Sequence, residues 1–255
     1  MSARIQTLEE KFGRRLFVRA HSGVELTDAG RQFRQYATGM QQLWQQAQQA
    51  VTLPLGYRAV FGLGAQVSLW ERLILQWIPW MRREASDVAL RVEADYSTSL
   101  MRQLSDGVLD IGVMYQPRQM PGLVIETLLE ETLVLVSTAA RDKADGWTED
   151  YVFVDWGEVF RAGHRDPFPD MDTPAVSVRL GPLGLQYILE NGGSGYFPLR
   201  VVRPHIEQGR LFRVADAPVA RRPAYVVYTA NPRDDELLSL ALNGLRQIAA
   251  RESET

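Results

Sequence analysis

From residue 59 onward the chain alternates short apolar runs with amphipathic helical ones, and nothing else in the sequence constrains the fold as strongly. Residues 59–63 read as a strand, 68–83 as a helix, 88–94 as a strand, 97–105 as a helix and 109–114 as a strand. A β-α-β-α-β order implies a parallel sheet with helices on both faces, because each crossover must return the chain to run the next strand in the same direction. Residues 132–137 form a further strand, and the polar stretch 138–150 is a plausible crossing between lobes. Strands at 152–154, 175–178, 210–214 and 224–228, with a helix around 183–190, predict a second, smaller α/β lobe. A closing helix over 235–249 has acidic residues at its start and Arg246 near its end, as its dipole favours.

The front of the chain is built differently. Residues 3–12 predict a helix, with Ile5, Leu8 and Phe12 on one face and Gly13 as its stop. Leu16-Phe17-Val18 and Val24-Glu25-Leu26 flank a His21-Ser22-Gly23 turn as a short hairpin. A helix followed by a hairpin in a basic segment is the back half of a winged helix-turn-helix. Thr27 caps the next helix and Asp28 sits in its positive first turn. Along that helix Phe33, Ala37, Met40, Trp44, Ala47 and Val51 recur at spacings of 4, 3, 4, 3 and 4. The other faces are mostly glutamine, Pro54 ends the run, and no obvious partner lies within the chain, so the seam predicts a dimerisation helix. An amphipathic helix packed on its own domain would carry the same spacing.

Composition adds exclusions. The chain of 255 residues has no cysteine, which excludes disulfides, thiolate nucleophiles and cysteine zinc sites. It shows neither the apolar core of a signal peptide nor a run long enough to span a bilayer, so the expected location is cytoplasmic, with no membrane partner. The net charge of −3 hides a split: residues 1–34 carry seven basic and four acidic side chains, a local +3 on a body of −6. Such a chain offers one end to phosphate.

In a two-lobed α/β protein, ligands bind beyond the carboxyl ends of the parallel strands, in the crevice between lobes. The first strand end is Gly64-Ala65-Gln66-Val67-Ser68, where Ser68 and Glu71 have capping-box spacing. Ser68 there serves as a cap, as part of an anion-binding helix start, or as both. Ser97 and Thr98 open the next helix in the same way, and Tyr115 follows the third strand. From the other lobe, the loops at Asp155-Trp156-Gly157 and Gly192-Gly193-Ser194-Gly195-Tyr196 are expected to face them. The candidate effector contacts are therefore Gln66, Val67, Ser68, Ser97, Thr98, Tyr115, Trp156, Gly195 and Tyr196, each of which is also ordinary turn chemistry if taken singly.

Other signals weaken on inspection. Gly62-Leu63-Gly64 follows a strand and precedes a helix, but Val67 occupies the third glycine position of a dinucleotide fingerprint, and the pair is expected to form a turn. His164, Asp166, Asp170 and Asp172 cluster in a loop that Pro167 and Pro169 interrupt, so a solvated charged loop is favoured over a cation site. The histidines His21, His164 and His205 are scattered, and Gly193-Ser194-Gly195 lacks the spacing of a nucleophile elbow. No catalytic residue, metal or cofactor is assigned.

With these elements in place, the run Ser2-Ala3-Arg4-Ile5-Gln6-Thr7-Leu8-Glu9-Glu10-Lys11-Phe12-Gly13-Arg14-Arg15-Leu16-Phe17-Val18-Arg19 resembles the end of the recognition helix and the wing of LysR-type transcriptional regulators. Leu26-Thr27-Asp28-Ala29-Gly30 resembles the start of their linker helix, and the remainder, through Leu109-Asp110-Ile111-Gly112, is similar in layout to their effector domain. Ser68-Leu69-Trp70-Glu71 resembles the flagellar-gene repressor branch. The resemblance implies an α/β chain: a partial winged helix-turn-helix over 1–28, a linker helix over 29–53, then a two-lobed periplasmic-binding-protein-like effector domain over 54–255. Lobe I would hold about 57–138 and 229–255, and lobe II about 139–228. Members of that family carry two further helices and the start of the recognition helix before this point, so the resemblance implies either that Met1 is an internal codon, the favoured reading, or that this is a truncated protein that dimerises and senses without binding operators well.

In a complete domain Ser2 and Arg4 would lie near the DNA groove, and Arg19, His21 and Ser22 near phosphates. Arg4 serves equally well as a solvated helix charge. The partners implied are DNA, a small-molecule effector (an anion suits these helix starts) and a second copy of the chain, as homodimer or homotetramer. The rival reading with the same fold is a solute-binding protein of a transport system. The absent signal peptide and the glutamine-rich heptad helix speak against it. An enzyme on this scaffold would need a nucleophile, an acid–base pair or a metal site, none of which is convincing in the sequence.

Overall fold

The computed structural model describes residues 3–20, 23–51, 53, 55–140, 150–165 and 174–253. Helix α1 (Ala3–Phe12) leads to a hairpin of β1 (Phe17–Ala20) and β2 (Gly23–Leu26), then to the long helix α2 (Asp28–Val51). Next come β3 (Ala59–Ala65), a 3-10 turn (Val67–Leu69), a π turn (Trp70–Ile74), α3 (Leu75–Glu84), β4 (Val88–Ala94), α4 (Ser97–Ser105), β5 (Ile111–Met114) and β6 (Leu123–Ser137). The chain continues through β7 (Val152–Val154), α5 (Glu158–Arg165), β8 (Val176–Val178), α6 (Gly181–Asn191) and β9 (Ser194–Pro198). It ends with α7 (Leu199–Glu207), β10 (Phe212–Arg213), β11 (Ala220–Thr229) and α8 (Asp235–Ser253).

The hairpin is tied to α1 by Glu9, a buried carboxylate that accepts from the backbone N–H groups of Leu16 (2.7 Å) and Phe17 (3.0 Å). Thr27 Oγ1 accepts from Gly30 N at 3.0 Å, the expected cap of α2. Near its start α2 packs back through Phe33, whose ring lies 5.0 Å from that of Phe12. Farther along, Met40, Leu43, Trp44 and Val51 are exposed.

Beyond α2 the sheet is mixed rather than all parallel. β3 runs parallel to β4 and β5, whereas β11 is antiparallel to β5 and β6, and β6 is antiparallel to β9 and β10. One core lies where α3 and α8 cover this sheet, with Leu63, Leu73, Trp77, Met81, Ile111, Val226, Leu242 and Leu245 buried. Trp77 keeps its indole N–H satisfied by donating to Ala241 O at 3.0 Å. On the opposite face α4 buries Leu100, Met101 and Leu104 against Leu109, Met114 and Val227. Gly62 and Gly64 are strand residues rather than a turn. A Cβ on Gly64 would collide with the side chains of Leu100 and Leu109, so glycine lets α4 sit close to the sheet.

The second core gathers Leu133–Val136 of β6 with Val152, Val154, Trp156, Phe160, Ile188, Phe197 and Val202. β6 is longer than the strand expected over 132–137, and its two ends belong to different cores: Leu129 to the first, Leu133 onward to the second. β11 does the same in reverse, paired residue for residue with β6 apart from a register shift between Ala224 and Tyr225. The chain thus passes between lobes inside these two strands. Most of the stretch 138–150 lies outside the described residues, as do Asp166, Asp170 and Asp172. Among the described residues no helix is long and apolar enough to cross a membrane.

Candidate functional site

A cleft of about 480 Å³ opens between the lobes at the carboxyl ends of β3, β4 and β5. From lobe I it is lined by Gln66, Val67, Ser68, Asp95, Tyr96, Ser97, Thr98, Tyr115, Gln116 and Arg118. From lobe II come Asp155, Trp156, Gly157, Glu158, Arg161 and Arg179 through Pro182, with Arg222 of β11 also on its wall.

Gln66 holds the lobe I wall together. Its side-chain oxygen accepts from Tyr115 N (2.8 Å) and Ser97 Oγ (3.0 Å), and its backbone N–H donates to Val113 O at 3.0 Å. One amide therefore joins the ends of β3 and β5 to the start of α4. At that start the first carbonyl is used by Ser99 N and Leu100 N (both to Tyr96 O, 3.0 Å), while the N–H groups of Ser97 and Thr98 have no partner among the described residues. Unpaired N–H groups at a helix start attract anions. Ser68 differs from expectation: it forms no capping box, because the chain here is a 3-10 turn that starts from Gln66 without a side-chain cap. Its carbonyl instead accepts from Arg200 Nη2 of lobe II at 3.3 Å.

The charged groups divide into committed and uncommitted ones. Asp155 accepts from Gly157 N (3.0 Å) and from Arg161 Nη1 (2.7 Å). Asp95 accepts from Tyr96 N (2.7 Å). Arg118 and Arg179 have no ion pair among the described residues, and the Arg179 guanidinium carbon lies 5.6 Å from the centroid of the Tyr96 ring. Two cationic groups thus line the cavity without anionic partners among the described residues.

Behind this wall lies a buried ionic cluster. Glu131 of β6 is 2% exposed and meets Arg200 (3.2 Å), Arg72 (3.4 Å) and, across the strand pair, Arg222 (3.7 Å). Its second oxygen accepts from Tyr115 Oη at 2.7 Å. Burial, reinforced by the Glu131 charge, pushes the Tyr115 phenol well above its usual range, so it stays a donor at any ordinary pH. Burial acts oppositely on Arg222, lowering its pKa, against the pull of Tyr115, Glu131 and Asp155. Its guanidinium stacks on Tyr115, with the carbon 3.2 Å from the ring centroid, and lies 4.9 Å from that of Trp156.

Of the residues picked from sequence, Gln66, Val67, Ser68, Ser97, Thr98, Tyr115 and Trp156 line the cleft together. Gly195 and Tyr196 do not. They belong to β9, paired with Val136 and Leu135 of β6, and Tyr196 supports Trp156 from behind by accepting its indole N–H at 2.8 Å. Arg4 and Arg19 are exposed on α1 and β1, and Ser2, His21 and Ser22 lie outside the described residues. Sequence reasoning missed Arg118, Arg179 and Arg222. Arg118 and Arg179 follow strand ends, where the same strand-end rule points, and Arg222 stands beside Arg221 at the start of a strand whose remainder carries no charge.

Two family models match the chain: "LysR substrate binding domain" over residues 56–250, and "Bacterial regulatory helix-turn-helix protein, lysR family" over residues 1–31. The HTH-type transcriptional regulator HdfR of Yersinia enterocolitica is 27% identical over 266 residues, covering 99% of this chain and 89% of that protein. HdfR of Escherichia coli is 27% identical over 97% of this chain and 88% of its own length. Both agree with the branch that Ser68-Leu69-Trp70-Glu71 suggested. Among solved structures, a full-length OxyR from Pseudomonas aeruginosa, carrying a cysteine-to-aspartate substitution, aligns with a TM-score of 0.62 at 20% identity, covering 95% of this chain and 86% of that one. Full-length LysG from Corynebacterium glutamicum with bound effector Arg aligns at 0.60 and 17%, covering 97% and 87%. The chain belongs to the LysR family of bacterial transcriptional regulators, with a two-lobed effector-binding domain.

Proposed function

We propose that this regulator senses a small organic anion in the interlobe cleft and transmits its occupancy through α2 to DNA. Residues 1–28 would serve as the back of the winged helix-turn-helix, 29–53 as the linker and 54–255 as the effector domain. The carrying observation is that Arg118 and Arg179, which have no ion pair among the described residues, line one cleft with the start of α4, whose first N–H groups have no partner among those residues. In this reading Gln66, Ser97, Thr98 and Trp156 contact the effector, and the chain works as a binder rather than a catalyst, in the cytoplasm where its DNA is. The regulator relatives support this over the solute-binding alternative.

Thermal-shift screening of the full chain against small organic acids and their amides tests the proposal. Acids should raise Tm and the matching amides should not; equal shifts would contradict an anion site. For the best acid, Arg179→Ala should weaken binding about tenfold to a hundredfold in calorimetry, the worth of one charge-assisted hydrogen bond.

The exposed Met40, Trp44 and Val51 of α2 support pairing of this helix with that of a second copy, and so a homodimer. Trp44→Glu should halve the mass measured by light scattering at micromolar concentration. An unchanged dimer would place the contact elsewhere.

A further inference from the structure

We propose that the ligand of the interlobe cleft is an amino acid, with its carboxylate on Arg179 of lobe II and its ammonium group on Asp95 of lobe I. This rests on the anion reading of the cleft, keeps its carboxylate and adds a cationic group to the same molecule.

The cleft carries unspent charge of both signs. Besides Arg118 and Arg179, the carboxylates of Asp95 and Glu158 line it, and neither has an ion pair among the described residues. Asp155 and Arg161, by contrast, neutralise each other at 2.7 Å, and Arg222 is 3.7 Å from Glu131 behind the wall. Asp95 is partly buried and fixed in place: one oxygen accepts from Tyr96 N at 2.7 Å and the other from Gln103 Nε2 at 3.4 Å. Both donors are neutral, so they orient the carboxylate without cancelling its charge. Across the cleft, the Arg179 guanidinium carbon lies 5.6 Å from the centroid of the Tyr96 ring. Opposite charges from the two lobes therefore stand by one tyrosine without forming an ion pair with each other.

A ligand with a carboxylate alone would be drawn to Arg179 and repelled by Asp95 and Glu158, and an amine alone would meet the reverse. A molecule that carries both groups on one carbon offers each wall the opposite sign, and the repulsion that penalises the single-charge ligands becomes selectivity for it. Held from both sides, it also ties lobe I to lobe II. A cleft of about 480 Å³ is ample for a molecule of this size.

Thermal shift of the full chain against the standard L-amino acids identifies the binder. Calorimetry then compares it with its deaminated acid and its amide (for L-phenylalanine, 3-phenylpropionate and phenylalaninamide). The amino acid should bind at least about tenfold more tightly than either. Asp95→Asn keeps an acceptor for Tyr96 N but no charge. It should weaken the amino acid about tenfold and strengthen the deaminated acid, which no longer meets a like charge. A deaminated acid that binds the wild type as tightly as the amino acid would overturn the proposal and leave the anion reading standing, as would plain acids that raise Tm where no amino acid does. Equal loss of both ligands in Asp95→Asn would mean that Asp95 shapes the wall and holds no amine, which overturns it too. An amide as tight as the amino acid, or no shift with acids of either kind, would bring down the anion reading along with it.

Discussion

Glu131→Leu should lower the unfolding free energy by about 3–5 kcal/mol, the usual consequence of removing one partner from a buried ion cluster. The carboxylate is nearly inaccessible and serves Arg72, Arg200, Arg222 and the Tyr115 hydroxyl. Leucine would fill most of the space but, among the described residues, leave Arg72 with Glu252 alone and Arg222 with no carboxylate within ion-pair distance. Glu131→Gln separates shape from charge: it still accepts from Tyr115 yet cancels no positive charge, so it should fall between the wild type and leucine. Arg200→Leu should cost less than Glu131→Leu, because its side chain is 25% exposed and its loss leaves Glu131 two other cations. Urea titration of the three variants reads the order directly. A glutamine variant as stable as the wild type would mean that the cluster is held by shape and not by charge.

Gly64→Val should have the next largest effect, about 3 kcal/mol, at the upper end for overpacked cores. The new side chain would enter space already filled by Leu100 and Leu109, so either β3 bows or α4 lifts from the sheet. Lifting α4 carries Ser97 and Thr98 away from Gln66, and affinity for any acid in the cleft should fall together with stability. Gly62→Ala, on the same strand, meets the Val108 carbonyl at 3.1 Å and Leu109 at Cα (3.4 Å) and Cδ2 (3.5 Å) and should cost about 1 kcal/mol. Thermal melts and titration with the same acid measure both effects. An unaffected melt for Gly64→Val would show that α4 has slack the packing does not suggest.

Where hydrophobic period and punctuation agreed, the sequence was readable to the residue. β4, α4 and β7 fall where their patterns end. The cleft was readable from strand ends because parallel strands bring their carboxyl ends to one side whatever the side chains. What failed did so for local reasons. β9 is preceded by Gly192-Gly193 and ends on Pro198, so its punctuation resembles a loop, although the five residues Ser194–Pro198 pair with β6 and are buried throughout. α7 starts just after that proline and contains Pro204, which hides its amphipathic face. β6 carries Glu126, Glu130 and Glu131 within its run, and only the cluster around Glu131 explains a carboxylate there. Gln66 was selected as a ligand contact, but its role as a clamp on three segments depends on distances that no spacing in the sequence encodes.

The two lobes are joined by β6 and β11 as a hydrogen-bonded ladder, not by slack tethers, with one slip between Ala224 and Tyr225. A ladder resists bending along most of its length and yields most easily where a rung is out of step. Any relative movement of the lobes would then be expected as a small pivot about that step and not as a free swing. A bound molecule would then drive a stiff, short-stroke motion, of the kind that passes force to a neighbouring subunit with little lost on the way.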